Sequence, residues 1–274
     1  MKKLHPFFLF LINSNIFVSF CVLSLALSSE ILLGSYNYKI SQFVFFATIF
    51  TYNFQRIVRA GKLQRHVRTD WLKKNKFLIY LIMIIGAVMS LYLFSDFESN
   101  TQIAIIFSGI LSVSYPFGLR KIPFSKIFII SLVWTTSTML LLVLEENSIP
   151  LNINTYLHLI CRFLFVFAIC IPFDIRDIKY DNIRLKTIPI IVGISKSKFI
   201  CFLSLFSIVI ISIVQFWNYK LSIEFLITII LSCTVSLIFI SKSDEKKSDF
   251  FFSFWIESLS ILLYLFLAIS ISIF

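Results

Sequence analysis

The chain is a succession of long apolar runs that carry almost no charge. They cover residues 6–27, 40–54, 77–95, 101–117, 125–144, 155–173, 199–217, 222–240 and 250–273. About 20 mostly apolar residues take a helix across a bilayer. Lipid offers no partner to an open backbone edge, so such runs must be helices or strands of a closed barrel. None of them alternates apolar and polar residues as a barrel strand does. The expectation is an all-α, polytopic membrane bundle of about nine transmembrane helices, with residues 1–274 forming a single transmembrane domain. Composition removes the soluble alternative. Of 274 residues, 58% are hydrophobic and only 14% charged, against about 25% charged in an ordinary soluble domain. The first run has a basic start like a secretory signal, but it outlasts the usual ~7–15-residue signal core and reads as a first membrane helix.

The net charge of +11 does not point to nucleic acid, because the basic residues gather in particular loops. With about nine spans, one side of the membrane receives Lys2 and Lys3 together with the loops 55–76, 115–126, 174–198 and 241–249. Only Lys39, Arg162 and Lys220 fall on the other side. By the positive-inside rule, the N-terminus and the 174–198 loop are expected in the cytoplasm, as in a bacterial inner membrane. The five cysteines lie in or beside apolar runs with no C-x-x-C spacing, so they read as small apolar filler, not as a disulfide or zinc framework.

The 170–193 stretch, CIPFDIRDIKYDNIRLKTIPIIVG, ends the sixth run with three aspartates, Asp174, Asp177 and Asp181. If the helix continues beyond the membrane, positions three and seven residues apart fan over one face. Like charges ~6 Å apart repel by roughly 2–3 kcal/mol at an effective dielectric near 20, so the cluster wants a cation. Oxygen ligands with room for phosphate oxygens suit Mg²⁺. The competing account is a hydrated loop whose acids pair with Arg176, Lys179 and Lys186.

This stretch resembles the second Asp-rich motif of the UbiA superfamily of intramembrane prenyltransferases, D-x-x-D-x-x-x-D followed by K/R-T-x-P and a Gly. Asp174, Asp177, Asp181, Lys186, Thr187, Pro189 and Gly193 match it, and Arg184 stands where the family usually has a Gly. The resemblance implies a UbiA-like bundle that binds a polyprenyl diphosphate through Mg²⁺ and transfers its prenyl group to a lipophilic acceptor. On that basis Asp174, Asp177 and Asp181 are the candidate metal and catalytic residues, and Lys186 a candidate substrate contact. A second matching region is SYPFGLRKIPFSK, in which Tyr115, Pro116, Arg120 and Lys121 resemble the family's diphosphate-contacting Tyr-Pro and basic pair. The basic pair comes one residue late, with Leu119 at the usual place; a plain positive-inside signal is the competing account.

The family's first motif, N-x-x-x-D-x-x-x-D, is broken here. Asn53 matches its leading Asn, but Ile57 and Gly61 stand at the aspartate positions, among Arg56, Arg59, Lys62, Arg65 and Arg68. The nearby Asp70 reads as a cap for the third helix. Two readings compete. In one, arginines, foremost Arg56, neutralise phosphate oxygens where a second metal would sit, since a guanidinium forks well onto phosphate. In the other, the site has decayed and the scaffold is non-catalytic, with a lipid-binding, supporting or transport role. Other chemistries find less support. There is no Gly-rich phosphate loop, no CDP-alcohol phosphotransferase signature, and no metal or triad spacing among His5, His66 and His158. Arg162 and Glu257 are ionisable residues within apolar runs. Arg162, near one end of its run, is expected to snorkel to the surface; Glu257 has no evident partner.

Overall fold

The computed structural model describes residues 6–60, 67–117, 122–178, 186–219 and 221–273, with backbone alone at 6, 59–60, 67–70 and 273. Among them there is no strand. The elements are α1 (Pro6–Asn13), α2 (Ile16–Leu33), α3 (Lys39–Ala60), α4 (Val67–Lys74), α5 (Lys76–Phe94) and α6 (Ser99–Ser114). Then come α7 (Ser125–Thr135), continued through a π-helical turn (Thr136–Leu140) into α8 (Leu141–Glu145), and α9 (Ile153–Asp177). The last are α10 (Ile188–Val192), α11 (Ile194–Tyr219), α12 (Ile223–Ser241), a second π turn (Phe251–Ile256) and α13 (Leu259–Ile273). Seven helical stretches in the described chain are long and apolar enough to cross a membrane. α3 has the length but carries polar residues, and α6 is apolar but spans only 16 residues. The expected helical membrane bundle is therefore present, and α3 and α6 account for the weaker members of the expected set.

A core of fully enclosed side chains, among them Leu25, Val166, Ile171, Ile175, Leu205 and Leu267, joins helices from α2 to α13. Large apolar side chains such as Phe77, Ile84, Ile103, Ile110 and Trp217 face outward, where lipid solvates them. The many serines are compatible with lipid because their hydroxyls donate back to their own helix. Ser24 bonds the Phe20 carbonyl at 2.8 Å, and Ser232 and Ser236 bond the carbonyls of Thr228 and Ser232 at 2.8 Å each. Such back-bonding gives these hydroxyls a partner within their own helix. Arg162 departs from the sequence expectation. It does not snorkel but is 3% exposed, with Nη2 donating to Ser28 Oγ at 2.7 Å and Ser29 Oγ at 2.8 Å. Two hydroxyls on α2 take up its Nη2 inside the bundle, while its buried Nη1 has no hydrogen-bond partner among the described residues; no spacing along one helix could disclose that pairing.

Three further differences concern boundaries. The first apolar run is not one helix. It breaks at Asn13-Ser14-Asn15, where Asn15 adopts a left-handed φ of 60°, a conformation that asparagine tolerates better than most residues. The 55–76 loop is largely helical, since α3 continues to Ala60 and α4 fills 67–74. Asp70 consequently lies within α4 rather than capping the next helix, and Asn75 takes the cap position of α5. α9 runs on to Asp177 despite Pro172. A proline has no N–H, so the Ala168 carbonyl loses its usual donor; Cys201 of α11 supplies one, with Sγ 3.5 Å from that oxygen. Cys201 is thus more than apolar filler, and all five cysteines are free thiols.

Candidate functional site

The extension of α9 decides where the acids lie. Asp174 and Asp177 sit one turn apart in its last turns, close enough to share a partner. That partner is Lys126, in the first turn of α7. Its Nζ lies 2.5 Å from Asp174 Oδ1 and 3.1 Å from Asp177 Oδ2. Arg176 Nε donates to the other oxygen of Asp177 at 2.7 Å. The Arg176 guanidinium also rests over the rings of Phe173 and Phe252, at 5.3 and 5.9 Å from their centroids, contacts of the cation–π kind. Asp174 is 1% exposed, so a full counter-charge beside it is an energetic necessity.

These charges form one end of a cavity of about 820 Å³. Its polar end is walled by Asn15, Gln55, Arg56, Tyr115, Lys126, Arg176 and Asp177, with Asp249, Ser253 and Glu257 from the start of the last membrane segment. Towards the other end of the bundle it becomes apolar, lined by Val22, Phe43, Val44, Phe94, Ile105, Ile130 and Trp134. α3 contributes lining residues from Phe43 to Arg56, which at 1.5 Å per residue is a depth of roughly 20 Å. Leu72 of α4 lies on the wall near the charged end.

The residues singled out in the sequence are distributed as follows. Asp177, Arg56 and Tyr115 line the cavity, and Asp174 lies beneath it on Lys126. Asn53 is fully enclosed. It accepts from Asn15 Nδ2 at 2.9 Å and donates to the carbonyls of Ser14 and Ile49 at 3.0 and 2.9 Å. It therefore clamps the α1–α2 break beside the cavity. Arg56 helps, donating to the Asn13 carbonyl while facing the cavity. Lys186 is exposed just before α10 and is not among the residues lining the cavity. Arg120, Lys121 and Asp181 lie outside the described residues, as do Gly61 and Lys62, and the side chain of Arg59 is not described.

Among the described residues no three His, Cys, Asp or Glu side chains are grouped to hold a metal. The donor set of Asp174 and Asp177 consists of carboxylate oxygens alone, which suits a hard cation such as Mg²⁺. In this structure the ammonium of Lys126 stands between those two carboxylates.

Lys126, Asp249 and Glu257 complete the polar end; the sequence marks Glu257 as an ionisable residue in an apolar run but gives it no role, and it singles out neither Lys126 nor Asp249 for the site. Lys126 was counted only as a basic loop residue. The signal for Glu257 was available, because an acid inside an apolar run is costly and marks a buried or wet site. Ser253 and Glu257, four residues apart, share the lining face, and the π turn Phe251–Ile256 lies between Asp249 and Glu257. π turns of this kind recur at functional sites.

No curated protein matches the chain. Solved structures do. The apo UbiA homologue of Aeropyrum pernix K1 superposes with a TM-score of 0.71 at 13% identity, over 93% of this chain and 98% of that one. A UbiA homologue of Archaeoglobus fulgidus bound to GPP and Mg²⁺ gives 0.68 at 15% identity, over 96% and 99%. A digeranylgeranylglyceryl phosphate synthase gives 0.60 at 15% identity, over 96% and 98%. At these identities the likeness is one of fold. The model of the UbiA prenyltransferase family matches residues 62–259, a span that holds Tyr115, Lys126, Asp174 and Asp177. With the helical bundle, the aspartates at the end of α9 and that match over most of its length, the chain belongs to the UbiA prenyltransferase family.

Proposed function

We propose that the protein transfers the prenyl group of a polyprenyl diphosphate to a lipophilic acceptor. The observation that carries this reading is the form of the cavity, with a cluster of fixed charges at one end and an apolar shaft below. An amphiphile with an anionic head and a hydrocarbon tail has the complementary shape. In support, the A. fulgidus homologue has been solved with GPP and Mg²⁺ and with DMAPP and Mg²⁺. In the transfer, the bond between the prenyl C1 and its oxygen breaks and the diphosphate leaves with the electron pair. The acceptor's nucleophilic atom then bonds C1 and gives up a proton. Arg56, Lys126 and Arg176 face the place where negative charge builds up, the commonest form of catalytic stabilisation. The apolar shaft keeps water from an allylic cation. Asp174 and Asp177, joined by Asp181, would hold Mg²⁺, which when bound helps to neutralise the leaving diphosphate. Asn53, Tyr115, Arg120, Lys121 and Lys186 remain candidate substrate contacts, Asn53 through its hold on the neighbouring backbone.

Two observations favour a second reading, that of a non-catalytic UbiA-fold protein. Ile57 replaces the first motif's leading aspartate, and Lys126 fills the space between the remaining pair. Purified protein with Mg²⁺ and radiolabelled polyprenyl diphosphates decides between them. The catalytic reading expects diphosphate release in the presence of a lipid extract that supplies acceptors. It also expects Arg56→Ala to weaken diphosphate binding by the ~1.5–3 kcal/mol of a charged hydrogen bond. Absence of both binding and release from folded protein would leave the non-catalytic reading.

A further inference from the structure

Partway down the cavity, two of its walls are joined. Trp134 of α7 donates from Nε1 to the hydroxyl of Tyr52 on α3 at 3.1 Å, and both side chains line the cavity. Counting along α3, Tyr52 lies four residues below Arg56; along α7, Trp134 lies eight below Lys126. At 1.5 Å per residue the bridge crosses roughly 6–12 Å beneath the charged end. Below it the cavity continues past Thr48, Ala47, Val44 and Phe43 on α3. Trp134 is firmly held. It is 8% exposed, its carbonyl accepts from Thr138 Oγ1 at 2.6 Å, and the π turn begins two residues later. A tail that continues below this level runs past two aromatic rings that a hydrogen bond holds together at the cavity wall.

From this geometry we infer that the Tyr52–Trp134 pair gauges the length of the isoprenoid tail. The inference rests on the reading of the cavity as a prenyl diphosphate site. An extended five-carbon unit is about as long as one helical turn, roughly 5 Å. With the diphosphate among Arg56, Lys126 and Arg176, the first two units end at the level of the bridge. The substrate class is therefore a short isoprenoid diphosphate of two to three units. Longer tails must break the hydrogen bond and turn a ring aside.

The test is competition binding on the full chain in detergent micelles. Labelled fifteen-carbon diphosphate serves as the probe, with ten-, fifteen-, twenty- and forty-carbon diphosphates as competitors. The wild type is expected to bind the ten- and fifteen-carbon compounds best. Trp134→Ala should improve the twenty-carbon compound relative to the ten-carbon one by about tenfold or more, within the range for opening a pocket by a few methylenes. Tyr52→Phe, which keeps the ring and removes the hydrogen bond, should move the ratio in the same direction by less. Tyr52→Phe and Trp134→Phe carry the test if the alanine variant does not purify as folded protein. A twenty- to ten-carbon ratio unchanged in folded variants that still bind the probe would overturn the gauge and leave the proposed function standing. Failure of the wild type to bind any of these compounds would overturn both.

Discussion

Lys126 is surrounded by more opposite charge than any other described lysine, since both Asp174 and Asp177 lie on it at 2.5 and 3.1 Å. A lysine in that place offsets the charge of two acids a turn apart at the end of a membrane helix, and it also supplies a cation facing the cavity. Removing one partner of a buried pair leaves the other uncompensated, at a cost of roughly 3–5 kcal/mol. Lys126→Met is accordingly expected to destabilise the protein by that amount in denaturant titrations in mixed micelles. In an Asp174→Asn background the same substitution should cost much less, and the double-mutant cycle measures the difference. Additive losses would show that Lys126 and Asp174 do not interact in the folded protein.

At the scale of helices, the fit of α3 against α5 shapes the cavity, because lining residues come from both. Gly86 permits that fit. A Cβ added there would stand 2.9 Å from the Phe46 carbonyl oxygen and 3.1 Å from the Phe50 nitrogen, and backbone atoms cannot swing aside. Gly86→Ala is expected to push the helices apart at a cost of about 1–3 kcal/mol, read as a lower unfolding midpoint. Gly109, on α6, is the internal control. A Cβ there would meet nothing within 4 Å, so Gly109→Ala should be neutral or slightly stabilising through helix propensity. Equal effects at the two positions would mean that α3 and α5 do not approach as described. Close approach also explains the clamp at the α1–α2 break. The chain can turn at Asn15 because Asn53 and Arg56 of α3 take up the carbonyls of Ser14 and Asn13.

For the whole molecule, the distribution of Lys and Arg predicts orientation. Residues near Lys196 should share the cytoplasmic side with the charged end of the cavity, and Ser148 should lie on the opposite side. The check is thiol labelling in intact cells of single cysteines at Lys196 and Ser148, both exposed, after replacement of the native cysteines. Cys201 is best replaced by serine, which keeps a donor for the Ala168 carbonyl. Labelling at position 196 by an impermeant reagent from outside would reverse the orientation. The helical bundle was legible in the sequence because lipid forces the backbone to satisfy itself within each apolar run, a demand written locally in composition. The aspartates at the end of α9 were legible for a similar reason, since spacing along one helix fixes which residues share a face. Partnerships between helices were not legible. The pairing of Lys126 with Asp174, of Arg162 with Ser28 and Ser29, of Cys201 with the Ala168 carbonyl and of Trp134 with Tyr52 each joins residues more than 30 positions apart. The break at Asn15 was hidden because hydropathy records how apolar a run is, not where its axis turns. The sequence by itself determined that the apolar runs are helical, that they belong in a membrane and where charge would gather. Only the packing of those helices decided which charges face the cavity and which rings line it, because such contacts depend on helix rotation and approach, which no single segment encodes.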